Sequence, residues 1–328
     1  MIIYYEQKSQ SYPLTQEILR KFPHTEKVAI HHYKNLFDKT IDYPTEPCIL
    51  LAKQEKISIL KTPDNYGYPG TSFFFKPSLN CVFDCNYCYL KGSFKNHFPV
   101  IFVNYEEMQT EIAQTIDQER KNWNKNQITF YASNYSDLLA IEHLTSFHQH
   151  FIPFFEQFDD KVLMESRTKS ANIESLLKLS QQKEKIKNTE IAFSISPQFI
   201  ANQYEKGSAS LEQKLKAIQE LLSLWYRVWI RFLPLLPIEN YLNLYQELTK
   251  NIKEVININE ISSIFIAPLI YNKEDYHILK KKNPEYRFLE PLQENEKGLM
   301  KMDQKYYKEF RNLFTTAFPK QNIFRDYQ

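Results

Sequence analysis

Short apolar runs alternate along the chain with longer stretches whose apolar residues recur every three to four positions. Residues 72–77 (SFFFKP) read as a buried strand, and five further strand-like runs follow at 127–132, 161–166, 190–196, 227–233 and 262–268. Between them lie helix-length segments near 105–121, 138–157, 171–187, 209–224 and 240–254. The clearest has Leu211, Leu215, Ile218 and Leu222 at helical spacing, with charges elsewhere. Strands separated by helices argue for βα units and parallel pairing. Six such units predict an α/β fold, a partial (βα)6 TIM-like barrel, with functional groups clustered where strands end and loops begin. Residues 1–70 are expected to form an N-terminal extension packed on this barrel and residues 71–270 the barrel itself. Residues 271–328 are expected to form a C-terminal helical region completing the barrel mouth, with a helix over 299–316.

Composition changes the picture mainly by exclusion. The 328 residues are 43% hydrophobic and 24% charged, enough apolar material for a sizeable core. Glycine occurs only five times, so neither a G-x-G-x-x-G dinucleotide loop nor a G-x-x-x-x-G-K phosphate loop can be written. A net charge of +2 argues against strong non-specific nucleic-acid binding but leaves room for a local basic groove. The first residues (MIIYYEQKSQ) turn polar after five, and no run approaches the ~18 apolar residues of a membrane span. A cytoplasmic location without membrane contact is expected.

Three of the four cysteines, Cys81, Cys85 and Cys88, fall within CVFDCNYC, directly after the first strand. An odd trio in one short loop suits a metal centre better than disulfides. A [4Fe–4S] cluster normally takes four cysteine ligands, so three leave one iron open to substrate or cofactor. A zinc site with His97 as fourth ligand, and a thioredoxin-like role for Cys85 and Cys88, remain as alternatives. Haem attachment fails, because Tyr89 stands where a histidine would be needed. Cys48, in EPCILLAK, reads as a small core residue.

The C-x3-C-x2-C motif resembles that of the radical S-adenosylmethionine (SAM) enzymes. That resemblance implies a cluster whose open iron chelates the amino and carboxylate groups of SAM. It also implies reductive cleavage to a 5′-deoxyadenosyl radical, with Tyr87 lying against the adenine and electrons from a reductant such as flavodoxin or ferredoxin. Within the class the chain resembles the spore photoproduct lyase family, through YPLTQEILRKF (12–22), CVFDCNYCYL (81–90), SDLLAIEHLT (136–145), RTKSANIESLL (167–177) and FSIS (193–196). By this resemblance Ser136, Lys169 and Ser194 help to hold SAM. The substrate it implies is a damaged pyrimidine in DNA. An ammonium for a carboxylate and hydroxyls for a ribose suit that cofactor. The Gly-Gly-Glu segment of many radical SAM enzymes is absent, so the cofactor must rest on side chains.

Two departures bear on the substrate. The family's hydrogen-donating cysteine lies two residues before the SAM-contacting serine, and that position is Asn134 here. An amide holds its hydrogens too strongly to replace a thiol, which leaves Tyr87, Tyr89 and Tyr135 as phenolic donors. The family's Arg-Tyr hairpin wedge has no counterpart in the short acidic stretch 286–302. A wedge needs an apolar tip and flanking cations. The run Lys280, Lys281, Lys282 reads as a solvated helix end. A radical SAM enzyme with a diverged substrate outside DNA, or a non-catalytic iron–sulfur or zinc protein, are therefore the competing readings. His31, His32, His148 and His150 read as structural or exposed, and His143 as a packing residue. Trp225, Tyr226 and Trp229 read as core or helix-to-strand packing.

Overall fold

The computed structural model describes residues 1–37, 46–63, 70–94, 96, 98–121, 126–181, 186–319, 321 and 323–325. The chain divides into two compact units, one built from residues 1–82, 94–168 and 172–190, the other from 83–93, 169–171 and 191–328.

In the first unit, β1 (Ile2–Glu6) pairs in parallel with both β2 (Glu26–Ile30) and β3 (Cys48–Ala52). A second set runs β4 (Leu60–Lys61), β5 (Thr71–Phe74), β8 (Ile128–Tyr131) and β9 (Val162–Thr168), with β5, β8 and β9 parallel and β4 antiparallel at the edge. The short strand β6 (Ser78–Leu79) turns back instead onto β7 (Val100–Phe102), which extends the first set beside β3. Cys48 is buried in β3, as its apolar setting implies. All four residues of β8 and all five of β3 are buried, the signature of strands covered on both faces. Tyr105 opens α2 (Tyr105–Lys121) and packs edge-on against Phe147 and Phe151 of α3 (Phe147–Phe155), while Phe130 and Phe155 close the same core. The helix expected over 138–157 is broken: Ser146 is left-handed at φ 49° and separates a single turn (Glu142–Thr145) from α3.

In the second unit the order is β16 (Ile323–Arg325), β12 (Ser263–Pro268), β11 (Arg227–Leu235), β10 (Thr189–Ser194), the first three parallel. Thr189 and Glu190 at the head of β10 belong to the first unit. Helices α6 (Leu211–Ser223), α7 (Tyr241–Val255) and α9 (Gln304–Ala317) present apolar stripes inward, with Phe310 and Phe314 of α9 against Tyr245 of α7. Two sequence expectations are corrected here. Residues 299–302 are a strand, β15 (Leu299–Met302), antiparallel to β14 (Leu292–Glu294) and β13 (Ile270–Asn272), so the expected helix over 299–316 begins only at Gln304. The acidic stretch is therefore a hairpin after all, closed by Asn295 and by Gly298 at φ 73°, with no aromatic at its tip. Trp225 is not a packing residue either. It is left-handed at φ 64° and 74% exposed, because the chain must reverse between α6 and β11, whereas Tyr226 and Trp229 are buried. Among the described residues no helix is long and apolar enough to cross a membrane.

Candidate active site

The cysteine loop is launched by a residue that does glycine's work. Asn80 sits at φ 65°, a left-handed conformation asparagine tolerates, and its side chain fixes the turn. Its Nδ2 donates to the Asn96 and Phe98 carbonyls at 2.7 and 3.3 Å, and its Oδ1 accepts from the Cys81 N–H at 3.1 Å.

Cys85 and Cys88 belong to the second unit. Cys85 pairs with Glu205 across a two-residue antiparallel bridge, and the Cys88 N–H donates to the Cys85 carbonyl at 3.1 Å. The Tyr271 hydroxyl donates to the Tyr87 carbonyl at 2.6 Å. Gly92 is required by close approach: a Cβ there would meet the Asp275 carboxylate oxygen at 2.7 Å and its Cβ at 2.9 Å. Burial pushes the Cys85 thiol up to about 12, against the pull of Lys169, and raises Cys88 as well. Both are therefore thiols at neutral pH in the metal-free chain. Among the described residues no three His, Cys, Asp or Glu side chains are gathered tightly enough for one metal ion. His97 lies outside the described residues.

The chemistry of the second unit centres on Glu205, whose carboxylate is fully buried. It accepts from Lys169 Nζ at 3.0 Å, Ser196 Oγ at 2.6 Å and the Tyr87 hydroxyl, with Lys214 Nζ at 3.5 Å. Burial pushes Glu205 up, but Lys169, Lys214 and the two hydroxyls outweigh it and bring it down to about 2. Tyr87 is itself pushed well up by burial and by that carboxylate, and Lys169 Nζ stands 5.5 Å from its ring centroid. Two lysines share one carboxylate, an arrangement able to accept another anion. Ser194 closes β10 and is 3% exposed, while Tyr89 is 39% exposed.

The first unit contributes the loop after β8. Ser136 is 5% exposed, and among the described residues its Oγ has no hydrogen-bond partner. A buried hydroxyl left unpaired is costly, so a ligand that bonds to it would be favoured. Next to it, the Asp137 carboxylate accepts from Thr168 Oγ1 at 2.8 Å and the Ala140 N–H at 3.0 Å, which locks the loop onto the end of β9. Asn134 and Tyr135 are half-buried there, and Lys76 Nζ lies 4.7 Å from the Tyr135 ring centroid.

A buried relay supports this loop. Glu142 accepts from His148 Nδ1 at 2.7 Å, His148 Nε2 meets Ser166 Oγ at 2.8 Å, and Ser166 reaches Ser133 Oγ at 3.3 Å. The order mimics a Ser-His-acid triad. His148 and Ser166 are essentially inaccessible, so it positions structure and attacks nothing. His148 is structural, as expected, while His31 and His150 are exposed.

Glu205, Lys214, Ser196 and Asp137 escaped the sequence reading. Lys214 alone left a signal, since it falls on the apolar stripe of α6 between Leu211 and Leu215. A fully buried lysine at such a place demands an acid.

Similarity to known proteins defines a radical SAM lyase with a mixed α/β fold. The chain belongs to the spore photoproduct lyase family, whose model matches residues 1–309. It is 22% identical to spore photoproduct lyase of Geobacillus sp. over 264 residues, 77% of this chain and 74% of that protein. It is 23% identical to the Clostridium acetobutylicum lyase over 290 residues, covering 85% and 81% of the two. The solved structure of a double mutant of spore photoproduct lyase with bound AdoMet and dinucleoside spore photoproduct shares the fold. Its TM-score is 0.81 at 18% identity, covering 99% of this chain and 98% of that one.

Proposed function

We propose that Cys81, Cys85 and Cys88 hold a [4Fe–4S] cluster, that Ser136, Lys169 and Ser194 hold SAM with Tyr87 against its adenine, and that the substrate is a damaged pyrimidine in DNA. When bound, cluster and SAM supply a 5′-deoxyadenosyl radical able to abstract hydrogen from the substrate. The observation carrying this reading is the unpaired, buried Ser136 hydroxyl on the same short loop as Asn134. Support comes also from Lys169, whose ammonium shares Glu205 with Lys214 and suits a ligand carboxylate.

The chain's own residues bind, orient and exclude water. Lys169 is held on Glu205 in a buried network, so its position is fixed before a ligand arrives. With an amide at Asn134, return of a hydrogen atom to the substrate falls to a phenol. We assign Tyr89 to this role because it is partly exposed, whereas the Tyr87 hydroxyl is buried and donates to Glu205. A low-potential reductant such as flavodoxin or ferredoxin would supply the electron.

A second reading, a diverged substrate outside DNA, is favoured by one observation: the hairpin closes on Asn295, Glu296, Lys297 and Gly298, without an aromatic wedge. Anaerobic reconstitution with iron and sulfide, followed by dithionite, SAM and dinucleoside spore photoproduct, decides between them. Brown absorbance, 5′-deoxyadenosine release and thymine recovery are expected. Release of 5′-deoxyadenosine without thymine recovery would leave the radical class and remove the DNA lesion as substrate.

A further inference from the structure

The first unit contains a pocket of about 310 Å³ that the site described above does not use. Its walls carry Lys34, Lys56 and Lys76 with His32 and Tyr33, against a single acid, Glu55. Glu55 is already engaged by Lys8. Lys76 is the telling residue. It is half-buried and, among the described residues, has neither an ion pair nor a hydrogen-bond acceptor, only the Tyr135 ring at 4.7 Å. Burial alone pushes its ammonium below the usual lysine range, with no acid to offset it. A desolvated cation without a counter-charge is costly, and an incoming anion would relieve that cost.

The pocket is built rather than incidental. Glu6 is a fully buried carboxylate beneath it, and its two oxygens accept from the N–H groups of Tyr33 at 2.8 Å and Lys53 at 2.9 Å. One buried acid therefore ties together the two segments, 32–34 and 53–56, that supply most of the lining. His32 Nδ1 accepts from the Lys34 N–H at 3.1 Å, and Tyr33 packs edge-on against Phe102. The Gln54 N–H is held by Asn104 Oδ1 at 3.0 Å. From Lys76 the chain runs in five residues to Cys81, and the ring Lys76 covers adjoins Asn134 in sequence.

We infer that this pocket takes a backbone phosphodiester of the nucleic-acid substrate, with Lys76 as the central contact and Lys34 and Lys56 as outer ones. Three ammoniums in a concave wall beside a tyrosine ring suit a strand whose phosphate enters while a neighbouring base meets the ring. Such a contact supplies the backbone grip that the polar hairpin tip does not provide. The inference rests on the DNA reading given above and adds the place where the strand is held.

The test uses the full chain and a fluorescent thymidine oligonucleotide, followed by anisotropy across a salt series. Lys76→Met is expected to weaken binding about tenfold at low salt and to reduce the slope of log affinity against log salt by about 1. Lys34→Gln and Lys56→Gln should each give smaller losses, while Lys281→Gln, at the end of the helix Lys273–Lys282 and not among the pocket's lining residues, should match wild type. Melting of Lys76→Met separates the roles: an unpaired cation held for a ligand leaves the melting temperature equal or higher when removed, and a structural lysine would lower it. Wild-type affinity and slope in Lys76→Met would overturn the inference. If the wild type releases 5′-deoxyadenosine but binds no oligonucleotide, the inference and the DNA substrate fall together while the radical class stands. If binding falls in Lys76→Met in a protein that never cleaves SAM, the pocket stands and the catalytic reading falls.

Discussion

Glu205 is the residue on which the second unit's chemistry turns. Replacing it by glutamine takes the shared carboxylate from Lys169 and Lys214, and removing one member of a buried ion pair costs about 3 kcal/mol or more. Glu205→Gln is therefore expected to lower the urea midpoint strongly. Lys214→Met should cost much less, because Lys169, Ser196 and Tyr87 still satisfy the carboxylate. The pH dependence has a definite sign. The folded-state value, about 2, lies below the ordinary 4.5, so the stabilisation is complete above the ordinary range and disappears as pH falls from about 5 toward 2. Wild type should lose stability through that window faster than Glu205→Gln, and equal slopes would remove Glu205 as the cause. Asn134 supports a prediction of another kind. Asn134→Cys restores a thiol at the family's donor position, so recovered thymine per 5′-deoxyadenosine should rise over wild type, measured by chromatography of both products. Tyr89→Phe in the wild-type background should lower that same ratio.

At the scale of the element, two devices can be tested. Helix α6 begins with a capping box in which Ser210 Oγ accepts from the Gln213 N–H at 3.2 Å and the Gln213 side chain accepts from the Ser210 N–H at 2.9 Å. Ser210→Ala should cost about 1 kcal/mol in denaturant unfolding. Gly92→Ala should cost more, about 1–3 kcal/mol, since the new Cβ collides with Asp275 under the turn that follows Cys88, and iron content per chain should fall with it. The same scale shows what the sequence made legible. Strand and helix periods placed β8, β9, β10, β11 and β12 within about two residues at each end, because parallel strands buried on both faces leave unbroken apolar runs. The proposed centre was legible because its three cysteines, Cys81, Cys85 and Cys88, are neighbours in the chain. What escaped were elements defined by partners far away in sequence. The strand Leu299–Met302 carries Met300 and Met302 on its buried face, yet its pattern fits a helix start equally well until β13 and β14 are known. Glu205 looked like one charge among many between Tyr204 and Lys206. Its role comes from Lys169, 36 residues away, and Tyr87, 118 residues away. Exposed Trp225 fails for the opposite reason: apolarity predicts burial only on average, and a left-handed turn overrides it.

At the scale of the whole molecule, a ligand that binds only the folded chain must stabilise it by mass action, whatever the catalytic outcome. At a SAM concentration a hundred times its dissociation constant that gain is about 2.7 kcal/mol, a shift of roughly 4 °C in melting temperature for a chain of 328 residues. The effect should be present in reconstituted wild type and follow SAM concentration logarithmically above saturation. Ser136→Ala is the informative variant. Its hydroxyl has no partner among the described residues, so removing it should leave the ligand-free melting temperature unchanged or slightly raised. The SAM-dependent shift should shrink, because the bond exists only in the complex. Lys169→Met contrasts with it, since it disturbs the Glu205 network and should lower the ligand-free melting temperature as well as the shift. If Ser136→Ala instead lowers the ligand-free value and leaves the SAM shift intact, the hydroxyl belongs to the fold and the cofactor rests elsewhere. The two serial measurements, with and without SAM, thus separate a residue kept for packing from one kept vacant for a ligand.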